Sequence, residues 1–136
     1  MRPDPSSRPF SWHARGVSFR HAFRGLRLLI ATQHNARLHL AATLIVVGAG
    51  LVFQITRFEW MLLVFAIGLV WAIEAMNTAV EWLGDAVTLQ ENDSVGRAKD
   101  VAATAVLLAS VTAAVIGVLV FLPYLCTLFV ISGGGE

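Results

Sequence analysis

Residues 60–87 read WMLLVFAIGLVWAIEAMNTAVEWLGDAV. Trp60 is an aromatic of the kind that sits at a membrane interface, and the chain then stays apolar through Ile73. Beyond it Glu74, Asn77, Glu81 and Asp85 follow at i, i+3, i+7 and i+11. On a helix these four share a sector of about 80° and form a stripe about 16 Å long. A carboxylate inside a membrane span costs ~2.5–3.5 kcal/mol even on lenient insertion scales. Three acids aligned with an amide therefore call for a cation, a proton or a partner chain. The plainer alternative is a helix that leaves the membrane near Glu74 and shows water a polar face. That suits Glu81 and Asp85 better than Glu74, which has WAI before it and AM after it.

Working outward, two more apolar runs flank this one. The first extends over about 38–56, with Arg57 and Glu59 marking its far end, and the third over about 101–122, uncharged from there to Glu136. Each approaches the ~20 residues needed to cross the hydrocarbon. Pro123 ends or kinks the third. The chain has 136 residues, 57% of them hydrophobic and 14% charged. Its mean hydropathy is +0.70, more apolar than a soluble core of this size absorbs.

Before the first span a second pattern appears. Phe19, Phe23, Leu26 and Ile30 make one helical stripe, with Arg20, Arg24 and Arg27 beside it. Phenylalanines toward acyl chains and arginines toward phosphates describe a helix lying in the interface, predicted over 17–36. A soluble amphipathic helix packed on a partner is the alternative. The expected fold is thus an all-α membrane protein, with an N-terminal amphipathic interfacial helix plus three transmembrane helices over about 38–56, 60–84 and 101–122. Residues 1–16, with three of the four prolines, read as a mobile basic tail, 17–131 as one membrane domain and 132–136 as a flexible tail.

Seven of the ten basic residues precede the first span, and Arg97 and Lys99 lie between the second and third. The positive-inside rule places both segments in the cytoplasm and the C-terminus on the opposite side. The Arg-rich start does not read as a secretory signal peptide. Cys126 is the single cysteine, so an intrachain disulfide is excluded. His13, His21 and His34 read as interfacial polar residues, none paired at metal spacing on its helix. Nothing in the sequence points to nucleic acid.

TLQENDSVGRAKD, residues 88–100, is polar and turn-rich and reads as a loop. It brings Arg97, Lys99 and Asp100 to the foot of the third span, near the end of the acidic stripe. Acids that hold Mg²⁺ beside a lysine that holds phosphate oxygens are what a bound polyphosphate needs. Topology-setting charge is the plain alternative for Arg97 and Lys99. A Walker sequence and the kinase H-R-D and D-F-G signatures are absent, which excludes the soluble nucleotide-binding folds that carry them.

The pair E-A-M-N-T-A-V-E-x-x-x-D (Glu74 to Asp85) and G-R-A-K-D-V-A-A-T-A-V (Gly96 to Val106) resembles the small prokaryotic diacylglycerol kinase and undecaprenol kinase family. F-R-G-L-R and N-A-R-L-H extend the resemblance to about residues 18–122. It implies a homotrimeric kinase of the bacterial inner membrane, moving the γ-phosphoryl of ATP to a lipid alcohol with Mg²⁺. Carried over by position, Glu74 resembles the general base and Asn77 the residue beside it that orients that carboxylate or the substrate. Glu81 resembles the metal-binding carboxylate and Asp85 a supporting one. Lys99 and Asp100 match nucleotide contacts, with Gln90, Glu91 and Asn92 covering the nucleotide. The family's second metal-binding Glu, eight residues after the glycine matching Gly25, is here Gln33. A neutral amide there implies weaker or rearranged metal binding, which the intact remainder of the motif is expected to tolerate. His39 and the N-T-A-V-E wording lean toward the undecaprenol branch without separating the two lipids. Two other readings of the acidic stripe remain open: a small oligomeric cation or proton pathway, and a membrane scaffold without catalysis.

Overall fold

The computed structural model describes residues 11–88, 90 and 92–133. Four helices follow one another: α1 (Trp12–Thr32), α2 (His34–Phe53), α3 (Arg57–Val87) and α4 (Asp93–Gly133). Two units result, one ending at Thr32 and the other beginning at Gln33.

In the first unit, α1 carries the expected apolar stripe, and Phe19, Phe23 and Leu26 are exposed along it. The helix starts at Trp12, earlier than predicted, so residues 12–16 are helical although they carry no apolar period. Most of the basic tail, residues 1–10, lies outside the described residues, as does 134–136. The predicted helix end at 36 is also displaced. Gln33 is extended (φ −99°, ψ 125°), and it separates α1 from α2. The amphipathic pattern runs on through this break, so periodicity does not register it.

α2, α3 and α4 are each long and apolar enough to cross a membrane. α2 ends in a left-handed residue, Gln54 (φ 51°). The N–H of Ile55 donates to Gly50 O at 3.2 Å and that of Gln54 to Leu51 O at 3.4 Å. This two-bond C-terminal lock normally uses glycine, because a side chain in that backbone region costs ~1–2 kcal/mol. α3 starts at once with a reciprocal cap. Thr56 Oγ1 accepts from Glu59 N–H, and Glu59 Oε2 accepts from Thr56 N–H at 2.7 Å. Tyr124 OH donates to the same carboxylate oxygen at 2.8 Å and ties α4 to the turn.

Apolar packing concentrates at this end. Ile55, Leu63 and Val120 are buried, with Phe53, Trp60, Phe121 and Tyr124 against them. Gly50 lets the Trp60 indole come close, since a Cβ there would meet the ring at 2.8 Å. Gly50→Ala is therefore expected to force the α2–α3 turn apart and lower stability by about 1–3 kcal/mol, read as a lower unfolding midpoint in detergent. An unchanged midpoint would show the turn to be loosely packed.

α3 packs chiefly on α4 and less on α2. A mostly apolar groove of about 620 Å³ follows the three helices, running from His39 and Ser110 to Leu125. The outward faces carry Val64, Phe65, Leu108 and Leu119, all exposed. Apolar surface on this scale suits lipid or a neighbouring chain.

α4 differs from expectation at both ends. Asn92 Oδ1 accepts from the N–H groups of Ser94 (3.0 Å) and Val95 (3.2 Å), so the polar run 93–100 forms helix where a loop is predicted. The helix also continues through Pro123 to Gly133. A proline costs one intrahelical bond, a loss that helices in membranes accommodate.

Candidate active site

At the end of the bundle away from the α2–α3 turn, α3 presents Glu74, Asn77, Glu81 and Asp85 along one face, in a gradient of burial. Glu74 is 1% exposed and Asn77 and Thr78 are buried, while Glu81 is half-buried and Asp85 exposed. The gradient follows the packing: Glu74 stands opposite His39 of α2, while Asp85 lies in the last turn of α3. That helix's 31 residues exceed the ~20 that cross the hydrocarbon at ~1.5 Å per residue. Counted from Trp60, ~20 residues end near Ala79, so Glu81 and Asp85 fall beyond that length.

The polar groups divide into two sets. In the shallower set, Asn77 Nδ2 donates to Glu81 Oε1 at 2.9 Å, which fixes that carboxylate through one of its two oxygens. Lys99 Nζ meets Asp85 Oδ1 at 2.5 Å, joining the foot of α4 to α3. With Asp85 largely exposed, such a pair contributes ~0–1 kcal/mol to stability. Its effect is to place the ammonium. Gly84 makes room for it, because a Cβ there would lie 2.8 Å from Lys99 Cε and 2.9 Å from Val95 Cγ1. Gly84→Ala is expected to push Lys99 off Asp85, and the close contact with Val95 Cγ1 should lower stability by about 1–3 kcal/mol. A lower unfolding midpoint in detergent checks it, and an unchanged midpoint would show that the Lys99 and Val95 side chains yield freely.

The deeper set is unsatisfied. Glu74 Oε2, His39 Nε2, Asn77 Oδ1, Thr78 Oγ1 and Ser110 Oγ are closed to solvent and have no hydrogen-bond partner among the described residues. Each such group costs ~1–3 kcal/mol. His39 Nε2 stands 3.9 Å from Glu74 Oε2, beyond direct hydrogen-bond distance. Buried polar atoms left open in this number mark a place where a ligand's polar groups belong.

A cavity of about 320 Å³ joins the two sets, with Asn35, His39, Asn77, Glu81 and Ser110 among its lining residues. Asn35 and His39 lie one turn apart on α2, and His39 and Ser110 also line the apolar groove. The site therefore borders charged groups on one side and an apolar groove on the other.

The predicted residues fall into place unevenly. Glu74, Asn77 and Glu81 converge, and Asp85 with Lys99 forms the adjoining pair. Asp100 is exposed, and its carbonyl accepts from Thr104 Oγ1. Gln33 caps α2 without a side-chain hydrogen bond to the helix. The N–H of Gln90 donates to Thr88 Oγ1, and Asn92 is spent as the cap of α4. Glu91 lies outside the described residues. Among the described residues, no group of three His, Cys, Asp or Glu is poised to hold a metal. Sequence reasoning missed Asn35, His39 and Ser110 as site residues. Only the i, i+4 spacing of Asn35 and His39 signals them, and that says nothing of what they face across the bundle.

Comparison with known proteins agrees with this geometry. The sequence profile of the family described as Prokaryotic diacylglycerol kinase matches residues 20–121. The chain is 37% identical over 108 residues to the undecaprenol kinase of Bacillus subtilis, covering 79% of this chain and 88% of that one. It is 36% identical over 115 residues to the diacylglycerol kinase of Synechocystis, covering 84% of this chain and 66% of that one. Both matches take in the acidic helix and the start of α4, where the buried carboxylate and the lysine–aspartate pair lie. On the profile match and the shared sequence together, the chain belongs to the prokaryotic diacylglycerol kinase family.

Proposed function

We propose that this membrane-embedded lipid kinase transfers the γ-phosphoryl of ATP to the hydroxyl of a lipid alcohol, diacylglycerol or undecaprenol, with Mg²⁺. The observation that carries the reading is Glu74: a buried carboxylate with one open oxygen, between an apolar groove and a half-exposed acid. A lipid hydroxyl arrives from hydrocarbon and a triphosphate from water, so the base must be the deeper acid and the metal site the shallower one. Glu74 and Glu81 stand in that order.

In the reaction, the hydroxyl proton passes to Glu74 Oε2 as its oxygen bonds to the γ-phosphorus. The bond from that phosphorus to the β–γ bridging oxygen breaks, and ADP leaves. Asn77 holds Glu81 in one orientation through Nδ2. Lys99, placed by Asp85, would face phosphate oxygens, and Asp100, Gln90 and Asn92 would lie along the nucleotide. Glu81 and Asp85 offer carboxylate oxygens here, which fit a hard divalent cation. Glu81 would hold it through the oxygen that Asn77 does not bond, with Asp85 and the Gln33 amide in support. One chain offers only part of a coordination shell, which suits Mg²⁺, an ion that retains waters and binds triphosphate oxygens. When bound it supplies charge neutralisation on the β- and γ-phosphoryl oxygens. The remaining catalysis is positioning.

The basic N-terminal segment supports a cytoplasmic N-terminus and a bacterial inner-membrane location, with the C-terminus on the other side. The broad apolar faces support assembly as a homotrimer. The test is a panel of diacylglycerol, undecaprenol and ceramide presented to the reconstituted chain with γ-labelled ATP and Mg²⁺. Label in one or more lipids supports the reading, and label in none removes it.

A further inference from the structure

We propose that His39 is a positioning residue that clamps the acceptor hydroxyl against Glu74. The inference rests on the lipid-kinase reading and adds to it a second contact on the nucleophile. His39 Nε2 and Glu74 Oε2 are 3.9 Å apart. Each is shut off from solvent and has no hydrogen-bond partner among the described residues. They are too far apart to bond each other, and an oxygen about 2.8 Å from both would bridge them once the side chains part to admit it.

A hydroxyl satisfies both atoms at once. Its O–H donates to Glu74 Oε2, and one lone pair accepts from His39 Nε2–H. The other lone pair remains for phosphorus. Glu74 alone would fix the hydroxyl at one point about which it could swing; two contacts fix its direction.

The backbone around His39 is itself anchored to α3. Trp71 Nε1 donates to Thr43 Oγ1 at 3.1 Å, and Thr43 Oγ1 donates to the carbonyl of His39 at 2.7 Å. Trp71 lies on α3 one turn before Glu74. This relay fixes the turn of α2 that carries His39 opposite the carboxylate, independently of any ligand. His39 also lines both the apolar groove and the cavity beside Glu81, the junction a lipid headgroup must occupy.

The test uses the full chain reconstituted in membranes, with dioleoylglycerol and undecaprenol as acceptors and MgATP varied separately. His39→Leu should lower kcat/KM for the lipid by about 10- to 100-fold and leave KM for MgATP within about twofold, as loss of one hydrogen bond to the acceptor requires. His39→Gln carries an amide nitrogen near the place of Nε2 and should recover most of the loss. His39→Asn, which reaches only the place of Nδ1, should not. If the leucine variant fails to assemble, the Gln and Asn pair decides alone. Wild-type kcat/KM in the leucine variant, equal behaviour of Gln and Asn, or a loss falling on MgATP would each overturn the inference. A wild-type chain inactive on every lipid alcohol sinks the kinase reading and this inference with it. An active wild type indifferent to His39 sinks the inference alone.

Discussion

Glu74→Gln is expected to abolish lipid phosphorylation while the bundle assembles as before. Glutamine preserves the shape of a side chain that is 1% exposed, so no cavity or clash accompanies the change. What disappears is the ability to take a proton. Loss of a positioned general base costs about 10²–10⁴-fold in rate. Stability should hold or rise, because a buried carboxylate without a bonded partner is among the costlier groups a span can carry. Initial rates on a lipid alcohol and a melting midpoint in the same detergent measure both halves. Full activity in the glutamine variant would mean that Glu74 is not the base. The same substitution also separates the kinase from a cation pathway, since a pathway protein has no ATP-dependent lipid product to lose.

Glu81→Gln should fail in a different manner. Asn77 Nδ2 now donates to Glu81 Oε1, and a glutamine oxygen can accept the same bond, so local geometry survives. The negative charge facing the nucleotide does not. Loss of a first ligand should weaken metal binding by about 10²-fold or more, beyond the 10- to 100-fold typical of supporting residues. The KM for MgATP should rise, and excess free Mg²⁺ should restore part of the rate. The Glu74→Gln variant should gain nothing from added Mg²⁺. If the two variants respond alike, the division into a deep base and a shallow metal carboxylate is wrong.

The fold was largely legible because a membrane span needs only length and apolarity, which composition along the chain displays directly. The acidic stripe was legible for a related reason: within one helix, spacing fixes the face, and Glu74 to Asp85 lie on a single helix. Features that depend on two elements were not. The 3.9 Å approach of His39 to Glu74 joins residues on α2 and α3, and no pattern within either helix encodes it. The bond from Tyr124 to Glu59 spans α4 and α3 in the same way. Local misreadings had local causes. The polar letters of 93–100 look like a loop until Asn92 is seen to cap them as helix. Pro123 looks like a terminus, although the surrounding apolar sequence carries the helix past it. The break at Gln33 hides inside a continuing amphipathic pattern, although it separates α1 from the spans.

The excess length of α3 over its apolar crossing has a consequence for where the protein can work. On the proposed reading, its ladder of acids straddles the boundary between oil and water, with the rungs about one to two turns apart. A leaflet thicker by a single turn would draw Glu81 under the headgroups, away from its water-borne donor, while a thinner one would wet Glu74 and strand the lipid acceptor. The host bilayer thus acts as a gauge block for the catalyst: hydrophobic mismatch of a few ångströms, trivial for a passive span, shifts both reactants relative to the carboxylates that serve them.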